Sequence, residues 1–304
     1  MRLRSFGLIF KKKHFPKWNK THAWVPTPVI LKKSICRVFY AGRDEKNLSK
    51  IGSFDIDLSR PKKILNVSSS PVLSLGKIGY FDDCAVIPSQ IFYFNKNYYL
   101  FYVGWTQGKT VPYIASIGLA YTKNLNKKFK RTSEVPLIGK SRYDPIFTAS
   151  CFCVKENNKL KLYYSSNTRW KVINKVPTPK YLIKEASSKN LFNWQFKNKK
   201  TFRHKDKEIA LTRPWIFKHE NKEMMLYSYG KMKNKKNNYK IGLAVKNKSL
   251  WKRVDKKLKI YNSVDNFDNK TKEYASAINY AGKTYVFYNG NNYGEKGIGL
   301  AIID

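Results

Sequence analysis

The stretch YYLFYVGW, residues 98–105, is an apolar run that reaches a tyrosine and then turns to small residues. Four other stretches repeat this pattern: CRVFYAGRD (36–44), LKLYYSSNTRW (160–170), EMMLYSYGK (223–231) and TYVFYNGN (284–291). The shared tyrosines are Tyr40, Tyr102, Tyr164, Tyr227 and Tyr288, at separations of 62, 62, 63 and 61 residues. A constant spacing of this kind indicates five copies of one structural unit.

Two further strand patterns flank each of these stretches. An apolar strand precedes each one, as in CAVIPSQIFYF (84–94), and a strand rich in Gly, Ala and Ile follows it, as in SIGLAYTKN (116–124). With a less obvious outer strand, each unit of about 62 residues predicts a four-stranded antiparallel blade, and the chain an all-β, five-bladed β-propeller. We expect a single domain over residues 1–304, in which residues 1–21 form an N-terminal segment that could close the ring.

The charge balance is extreme, because 60 Lys and Arg against 20 Asp and Glu give a net charge of +40 in 304 residues. Hydrophobic residues make up 42% of the chain, which is enough for a core and does not indicate disorder. The lysines are scattered in short runs such as Lys11–Lys13, without a zinc-finger or helix-turn-helix pattern. We therefore expect no specific nucleic-acid partner, and only a weak attraction to anionic surfaces.

The first apolar run, Phe6–Phe10, is too short for a signal peptide, and no run reaches the roughly 18 residues of a membrane helix. We expect a cytoplasmic location without a membrane span. Cys36, Cys84, Cys151 and Cys153 lie in apolar, strand-like segments without a CxxC pair, which indicates buried free thiols and no metal site. No cofactor motif is evident, although a structural ion could occupy a central channel, and the oligomeric state stays open.

The first strands of propeller blades converge on a central channel, so polar residues where these strands begin are candidates for a functional site. Acids are scarce, yet three units place one there: Asp83, Asp144 and Glu273. Carboxyl groups suit glycosidic-bond cleavage, since a protonated one donates to the leaving oxygen while an ionised one activates water. We predict these three as catalytic residues, with turn capping as the alternative for the aspartates.

The other candidates would bind a substrate. Flat aromatic side chains can stack on sugar rings, and the forked donors of arginine suit oxyanions, although packing and ion pairing are the alternatives. The predicted substrate-binding residues are His22, Trp24, Arg43, Asp44, Asp82, Trp105, Arg169, Trp170, Arg213, Tyr229, Asn289 and Asn291.

The motifs of the units resemble those of the five-bladed β-propeller glycosidase superfamily, which holds families 32, 43, 68 and 130 of the carbohydrate-active enzymes. The resemblance covers residues 22–302 and rests on motifs such as GYFDDCAVIP (79–88), YDPIFTAS (143–150), TRPWIF (212–217) and EYASAINY (273–280). It is greatest to glycosidase-like proteins that accompany bacterial surface-polysaccharide genes. It implies a carbohydrate or glycosyl-phosphate substrate at the propeller axis.

Several functions remain open. The resemblance implies a glycoside hydrolase-like enzyme that cleaves or transfers a glycosidic bond in bacterial surface-glycan metabolism. A phosphorylase or glycosyltransferase is an alternative, with Asp83 as the acid and Arg43, Arg213 and His22 around an anion. A non-catalytic glycan-binding propeller is another, because the first unit begins with WVPTP (24–28) and has no acid there.

Overall fold

The computed structural model of the chain describes residues 1–173, 175–205, 207–233 and 236–304, with only the backbone for residues 232, 233, 236 and 237. Strands dominate it, which confirms the all-β prediction. In chain order the strands are β1 (Arg2–Lys11), β2 (Thr21–Lys32), β3 (Ile35–Arg43), β4 (Ser49–Asp57), β5 (Ile64–Val67), β6 (Ala85–Phe94), β7 (Asn97–Gln107), β8 (Tyr113–Thr122), β9 (Lys130–Arg131), β10 (Phe147–Glu156), β11 (Lys159–Ile173), β12 (Val176–Ser188), β13 (Gln195–Lys200), β14 (Glu208–His219), β15 (Lys222–Lys233), β16 (Lys236–Asn247), β17 (Leu250–Arg253), β18 (Lys259–Ile260), β19 (Glu273–Tyr280), β20 (Lys283–Asn289) and β21 (Gly297–Ile303). The helical segments are one turn, α1 (Asn291–Gly294), and the 3-10 turns Lys12–His14 and Asp255–Lys257.

Within the described ranges these strands form four sheets. Two of them have four strands, in the orders β10-β11-β12-β13 and β14-β15-β16-β17, with antiparallel neighbours. An eight-stranded sheet consists of two such units, β2 to β5 and β6 to β9, joined by a parallel pairing of Ser49 with Ala85. In the remaining sheet, β18-β1-β21-β20-β19, strand β1 pairs antiparallel with β21 and takes the fourth position of the unit.

The repeated tyrosines anchor buried carboxylates. In three units the tyrosine hydroxyl donates a hydrogen bond to an aspartate 20 residues earlier, and in a fourth to one that follows it. The pairs are Tyr102 to Asp82 (2.9 Å), Tyr164 to Asp144 (3.0 Å), Tyr288 to Asp268 (2.8 Å), and Tyr227 to Asp255. The same four carboxylates contact Arg131, Lys184, Lys272 and Arg253, respectively. These cations compensate the carboxylate charges, which would be costly to bury alone.

The tyrosines also explain the glycine in the strand that follows. Tyr102 lies opposite Gly118 across β7 and β8, and a Cβ atom on Gly118 would approach the ring Cζ to 2.3 Å. Glycine faces the tyrosine in three other units, as the pairs Tyr40–Gly52, Tyr227–Gly242 and Tyr288–Gly299. The repeated tyrosine and glycine are therefore two halves of one close contact.

The first strand of every unit contains an irregularity at the same place. The register shifts lie between residues 24 and 27, 88 and 90, 149 and 151, 212 and 215, and 273 and 276. Bulges of this kind bend a strand and leave backbone groups without a partner in the sheet. Other groups must satisfy them, because unpaired buried backbone groups are costly.

Arg213 supplies several of these partners. Its side chain is fully buried, and its Nη2 donates to the Pro26 carbonyl and the Thr27 Oγ1, both at 2.9 Å, while Nη1 donates to the Ser89 carbonyl. Strand β14 is thereby tied to β2 and β6. Burial lowers the Arg213 pKa to about 9. Arg213 is predicted to bind a substrate, but here its Nη1 and Nη2 bind oxygen atoms of the protein, and no partner of its Nε is found among the described residues.

Asn289 links the last unit to the first. Its Oδ1 accepts a hydrogen bond from the Val25 N–H at 2.7 Å, and its Nδ2 donates to the Ala23 carbonyl at 2.8 Å. The side chain is fully buried. Asn289 was predicted to bind a substrate, and the structure gives it this structural role instead.

We predict that Arg213→Ala lowers the free energy of unfolding by about 3–5 kcal/mol, because it opens a cavity and leaves buried oxygen atoms unpaired. Urea unfolding of the variant and the wild type measures this loss. The exposed Arg169→Ala serves as the control, with an expected change within about 0.5 kcal/mol. A loss below about 1 kcal/mol for Arg213→Ala would show that the link between β14, β2 and β6 does not depend on this residue.

We also predict that Asp144→Asn lowers the free energy of unfolding by about 3–5 kcal/mol, because Lys184 is then a buried cation without a counter-charge. Lys184 is 2% exposed and its Nζ lies 3.0 Å from Asp144. The double variant Asp144→Asn/Lys184→Met should recover part of the loss, since it removes the unpaired charge. Equal unfolding energies for Asp144→Asn and the wild type would contradict this role.

Candidate functional site

A cavity of about 310 Å³ lies where the first strands of the units begin. Eight aromatic side chains line it: Trp24, Trp105, Tyr113, Trp170, Tyr181, Tyr239, Tyr274 and Tyr293. Arg43, Pro112 and residues 176–179 complete the wall, and no carboxylate is among these described lining residues. A mostly apolar wall with few polar groups is typical of a small-molecule site.

The rings pack against one another around the wall. Trp105 stacks on Tyr113 with the ring centroids 4.4 Å apart and an angle of 11° between planes. The Tyr113 hydroxyl is hydrogen-bonded to the Tyr181 hydroxyl at 2.6 Å. On another part of the wall, the ring centroids of Trp24 and Tyr274 are 6.0 Å apart. This packing holds the rings in place before a ligand arrives, which lowers the entropic cost of binding.

Strand β19 presents Tyr274 to the cavity through its bulge. The residue has a φ of 56°, a backbone conformation that is strained for an aromatic residue. Its N–H donates to the Ser228 Oγ at 2.8 Å, which holds the strained backbone in place. Burial raises the Tyr274 pKa, so the phenol stays protonated and can donate a hydrogen bond.

Four predicted substrate-binding residues, Trp24, Arg43, Trp105 and Trp170, line the cavity. The Arg43 guanidinium carbon lies 5.3 Å from the ring centroid of Trp24, within range of a cation–π contact. His22 is near Arg43, and its pKa is lowered to about 4 by burial and by the charge of Arg43. The imidazole is therefore neutral near pH 7.

Glu273 lies directly behind the aromatic wall. Its carboxyl is 1% exposed, and its Oε1 accepts a hydrogen bond from the N–H of Tyr293 at 3.1 Å. No hydrogen-bond partner of Oε2 is found among the described residues. Burial raises the pKa of Glu273 well above its ordinary value, so this carboxyl is held as a protonated acid.

The structure does not bring the three predicted catalytic carboxyls together at the cavity. Asp144 is fully buried and is bonded to Tyr164 and Lys184. Asp83 lies in the loop before β6, where its Oδ2 accepts the N–H of Gly79 at 2.9 Å. Of the three, only Glu273 adjoins residues of the cavity wall.

Three further residues that are predicted to bind a substrate make contacts that fix the fold. Asp82 is fully buried against Tyr102 and Arg131. Asp44 caps its turn by accepting two backbone N–H groups and also binds a lysine. The Oδ1 of Asn291 accepts the N–H groups of residues 270 and 271, at 2.8 and 2.9 Å.

Two other predicted residues lie away from the cavity wall. Tyr229 lines a separate polar cleft of about 420 Å³, together with Lys240, Asp255 and Lys272. Arg169 is exposed on the hairpin of β11 and β12, next to Trp170.

Tyr113, Tyr181 and Tyr239 are cavity residues that sequence reasoning missed. Tyr181 and Tyr239 each stand three residues before the position that faces the repeated tyrosine, which is Lys184 in one unit and Gly242 in another. The equivalent residues of the other units are Ser49, Ala115 and Lys296, so the repeat pattern gives no signal for these tyrosines, and only the folded structure brings them to the cavity.

In the described part of the chain, no three His, Cys, Asp or Glu side chains are grouped so that they could hold a metal ion. Among the described residues, none of the helices is both long and apolar enough to cross a membrane.

Two uncharacterized proteins of Mycobacterium tuberculosis are similar in sequence, MT1551 of strain CDC 1551 / Oshkosh and Rv1502 of strain ATCC 25618 / H37Rv. Each is 31% identical to this chain over 196 residues, which are 64% of this chain and 64% of the relative. The match therefore spans less than two thirds of these curated relatives. No family model matches the chain.

Solved structures of glycoside hydrolases are similar over nearly the whole chain. One described as a glycoside hydrolase has a TM-score of 0.73 at 17% identity and covers 98% of this chain and 91% of its own. A second structure has a TM-score of 0.69 at 14% identity and covers 98% of this chain and 89% of its own. Its description concerns the GH130 family of mannoside phosphorylases, which contains glycoside hydrolases that target β-1,2 mannosidic linkages in Candida mannan. A thermostable family-43 glycoside hydrolase has a TM-score of 0.63 at 15% identity, covering 93% and 89%. The chain thus has the fold of the propeller-type glycoside hydrolases, which supports, at the level of the fold, the resemblance carried by its repeated motifs.

Proposed function

We propose that the five antiparallel units are the five blades of one propeller domain, residues 1–304, and that β1 closes the ring. The nearly constant spacing of the tyrosines supports this count, as does the bulge at the same place in each first strand. The pairing of β1 with β21 and the bonds from Asn289 to β2 supply the contacts that such a closure requires.

We propose that the protein acts on carbohydrates and binds a glycan in the aromatic cavity. The observation that carries this function is the wall of eight aromatic rings on the fold shared with glycoside hydrolases. Such rings offer flat apolar surfaces to the C–H faces of a sugar, while the hydroxyls of tyrosines and the Arg43 guanidinium bind its oxygen atoms. The resemblance of the motifs sets this activity in bacterial surface-glycan metabolism.

Glu273 is the acid in this proposal. As the bond from the anomeric carbon to the leaving oxygen breaks, the protonated carboxyl gives its proton to that oxygen. Either water, which releases a proton to the solvent, or inorganic phosphate then bonds to the anomeric carbon, so the reaction is hydrolysis or phosphorolysis. Because Glu273 is buried and its Oε1 is bonded to the Tyr293 N–H, this proposal requires the turn Asn291–Gly294 to shift before the proton reaches the substrate.

A glycan-binding protein without catalysis is the second candidate. It is favoured by the burial of Glu273 and by the lack of a carboxylate among the described residues that line the cavity. In that case Glu273 only supports the wall.

Binding and turnover separate these functions. We expect Trp105→Ala to weaken binding of an oligosaccharide about tenfold or more, because it removes a stacking surface. Glu273→Gln should abolish turnover and retain binding. Isothermal titration measures binding, and a panel of aryl glycosides and oligosaccharides with and without phosphate measures turnover.

Tyr93→Ala is the control for the tryptophan variant, because Tyr93 is a 60% exposed aromatic residue near the hairpin of β6 and β7. Equal affinities of Trp105→Ala and Tyr93→Ala would contradict the assignment of the cavity. Binding without turnover in the wild type would favour the non-catalytic candidate.

The buried acid also predicts a pH dependence of stability. The folded protein keeps the Glu273 proton above about pH 4.3, where the unfolded chain releases it, so this residue makes the free energy of unfolding fall as pH rises. We expect Glu273→Gln to gain stability relative to the wild type as the pH rises above about 5, by up to about 1.4 kcal/mol per pH unit. Urea unfolding across this range measures the difference. The exposed Glu45→Gln should keep the wild-type slope, and parallel curves for Glu273→Gln and the wild type would refute a buried protonated acid.

A further inference from the structure

Arg43 is the one charged side chain among the described residues that line the aromatic cavity. It is partly buried, and its hydrogen bond to a side chain joins Nη1 to the Oδ1 of the exposed Asn47 at 3.2 Å. No carboxylate pairs with it in the described part of the chain. Its remaining guanidinium donors are therefore available to a ligand in the cavity.

Other buried arginines of this protein are paired with acids. Arg37 binds Asp55 at 2.7 Å, and Arg253 binds Glu208 at 2.7 Å. Burial of an unpaired cation is costly, and Arg213 avoids that cost through its bonds to oxygen atoms of the protein. Arg43 differs from Arg37 and Arg253 because no carboxylate pairs with it in the described residues, and from Arg213 because its described side-chain hydrogen bond is the single one to Asn47.

More positive charge flanks the cavity on the hairpin of β11 and β12. Arg169 lies directly opposite Lys180, and Lys171 is two residues further along the same face. Like charges in this arrangement are destabilising, and no salt bridge neutralises these three cations in the described residues. Trp170 and Pro179, between these cations along the two strands, line the cavity from the opposite face of the hairpin, because side chains alternate along a strand. The three cations thus stand on the outer side of this part of the wall, where they raise the potential around the cavity without lining it.

We propose that the glycan bound by this cavity is acidic, with a carboxylate, sulfate or phosphate group that pairs with Arg43 while its sugar ring packs against the aromatic wall. This inference rests on the proposed function and narrows its substrate class. The Arg169, Lys171 and Lys180 side chains attract further acidic units of the same chain. The guanidinium suits this role because its forked donors match the geometry of an oxyanion.

The test is a binding panel of pectate and alginate oligosaccharides, their neutral methyl esters, and sulfated and phosphorylated oligosaccharides. The wild type should bind at least one acidic member about tenfold or more tightly than its uncharged counterpart. This preference should shrink as the salt concentration rises. Arg43→Gln should bring the two affinities within about twofold of each other, and Arg169→Ala/Lys180→Ala should weaken binding of the acidic oligosaccharide several-fold.

A matched control addresses the high overall charge. Lys155→Ala/Lys159→Ala removes two exposed cations from the sheet that carries Trp170. They lie at its other end, about 26 Å from Phe147 along β10. This variant should leave the preference for acidic over uncharged oligosaccharides unchanged. Equal loss of preference in this control and in the Arg169/Lys180 variant would overturn the assignment to the hairpin cations and leave only a general charge effect.

The other outcomes are also decisive. Neutral esters that bind as tightly as the acids would overturn the inference and leave the proposed function intact. In another outcome, inorganic phosphate binds at millimolar concentration in a way that depends on Arg43 and that acidic oligosaccharides do not displace. That result would identify the anion as a free co-substrate and would overturn the inference. Failure of every oligosaccharide to bind would overturn the proposed function itself.

Discussion

The hydrogen bonds of the Arg213 guanidinium are the interaction on which the rest of the structure depends. The bulged first strands leave carbonyl groups that their own sheets cannot pair, and Arg213 reaches those of Pro26 and Ser89 from a third strand. A planar group with five donors can do this where a single ammonium could not. With these strands fixed, Trp24 and Tyr274, at equivalent bulges, form adjoining parts of the cavity wall.

The cavity combines packed aromatic rings with titratable groups that are nearly all neutral. The tyrosines stay neutral because burial raises their pKa values, His22 stays neutral because burial and Arg43 lower its pKa, and Glu273 keeps its proton. Arg43 is left as the charge that a ligand meets on the wall. In the proposed function, a ligand would therefore meet aromatic surfaces and one cation, and the acid nearest to it stands behind the wall.

Much of the fold could be predicted from the sequence, because the spacing of the five tyrosines and the hairpin turns between strands are local signals. The roles of the acidic residues could not be predicted in this way. Asp82 and Asp144 recur at the same distance before a tyrosine, which looks like a shared functional position. Their cations, Arg131 and Lys184, come from strands 49 and 40 residues further along the chain, and only the folded register shows the pairing. The tryptophans of the site were found for a simpler reason, since they stand at strand ends.

Because the few carboxylates bind tyrosines and cations inside the protein, the positions of this sequence differ in how well they tolerate substitution. The acids that the fold needs are few, with 20 Asp and Glu against 60 Lys and Arg, and four of them are committed to the repeated tyrosines and to the cations beside them. Exchange among lysine, asparagine and other polar residues on the outer faces leaves the internal pairs untouched. A substitution on the outer faces is therefore cheap for the fold, whereas one at a paired tyrosine, glycine or aspartate breaks a buried contact.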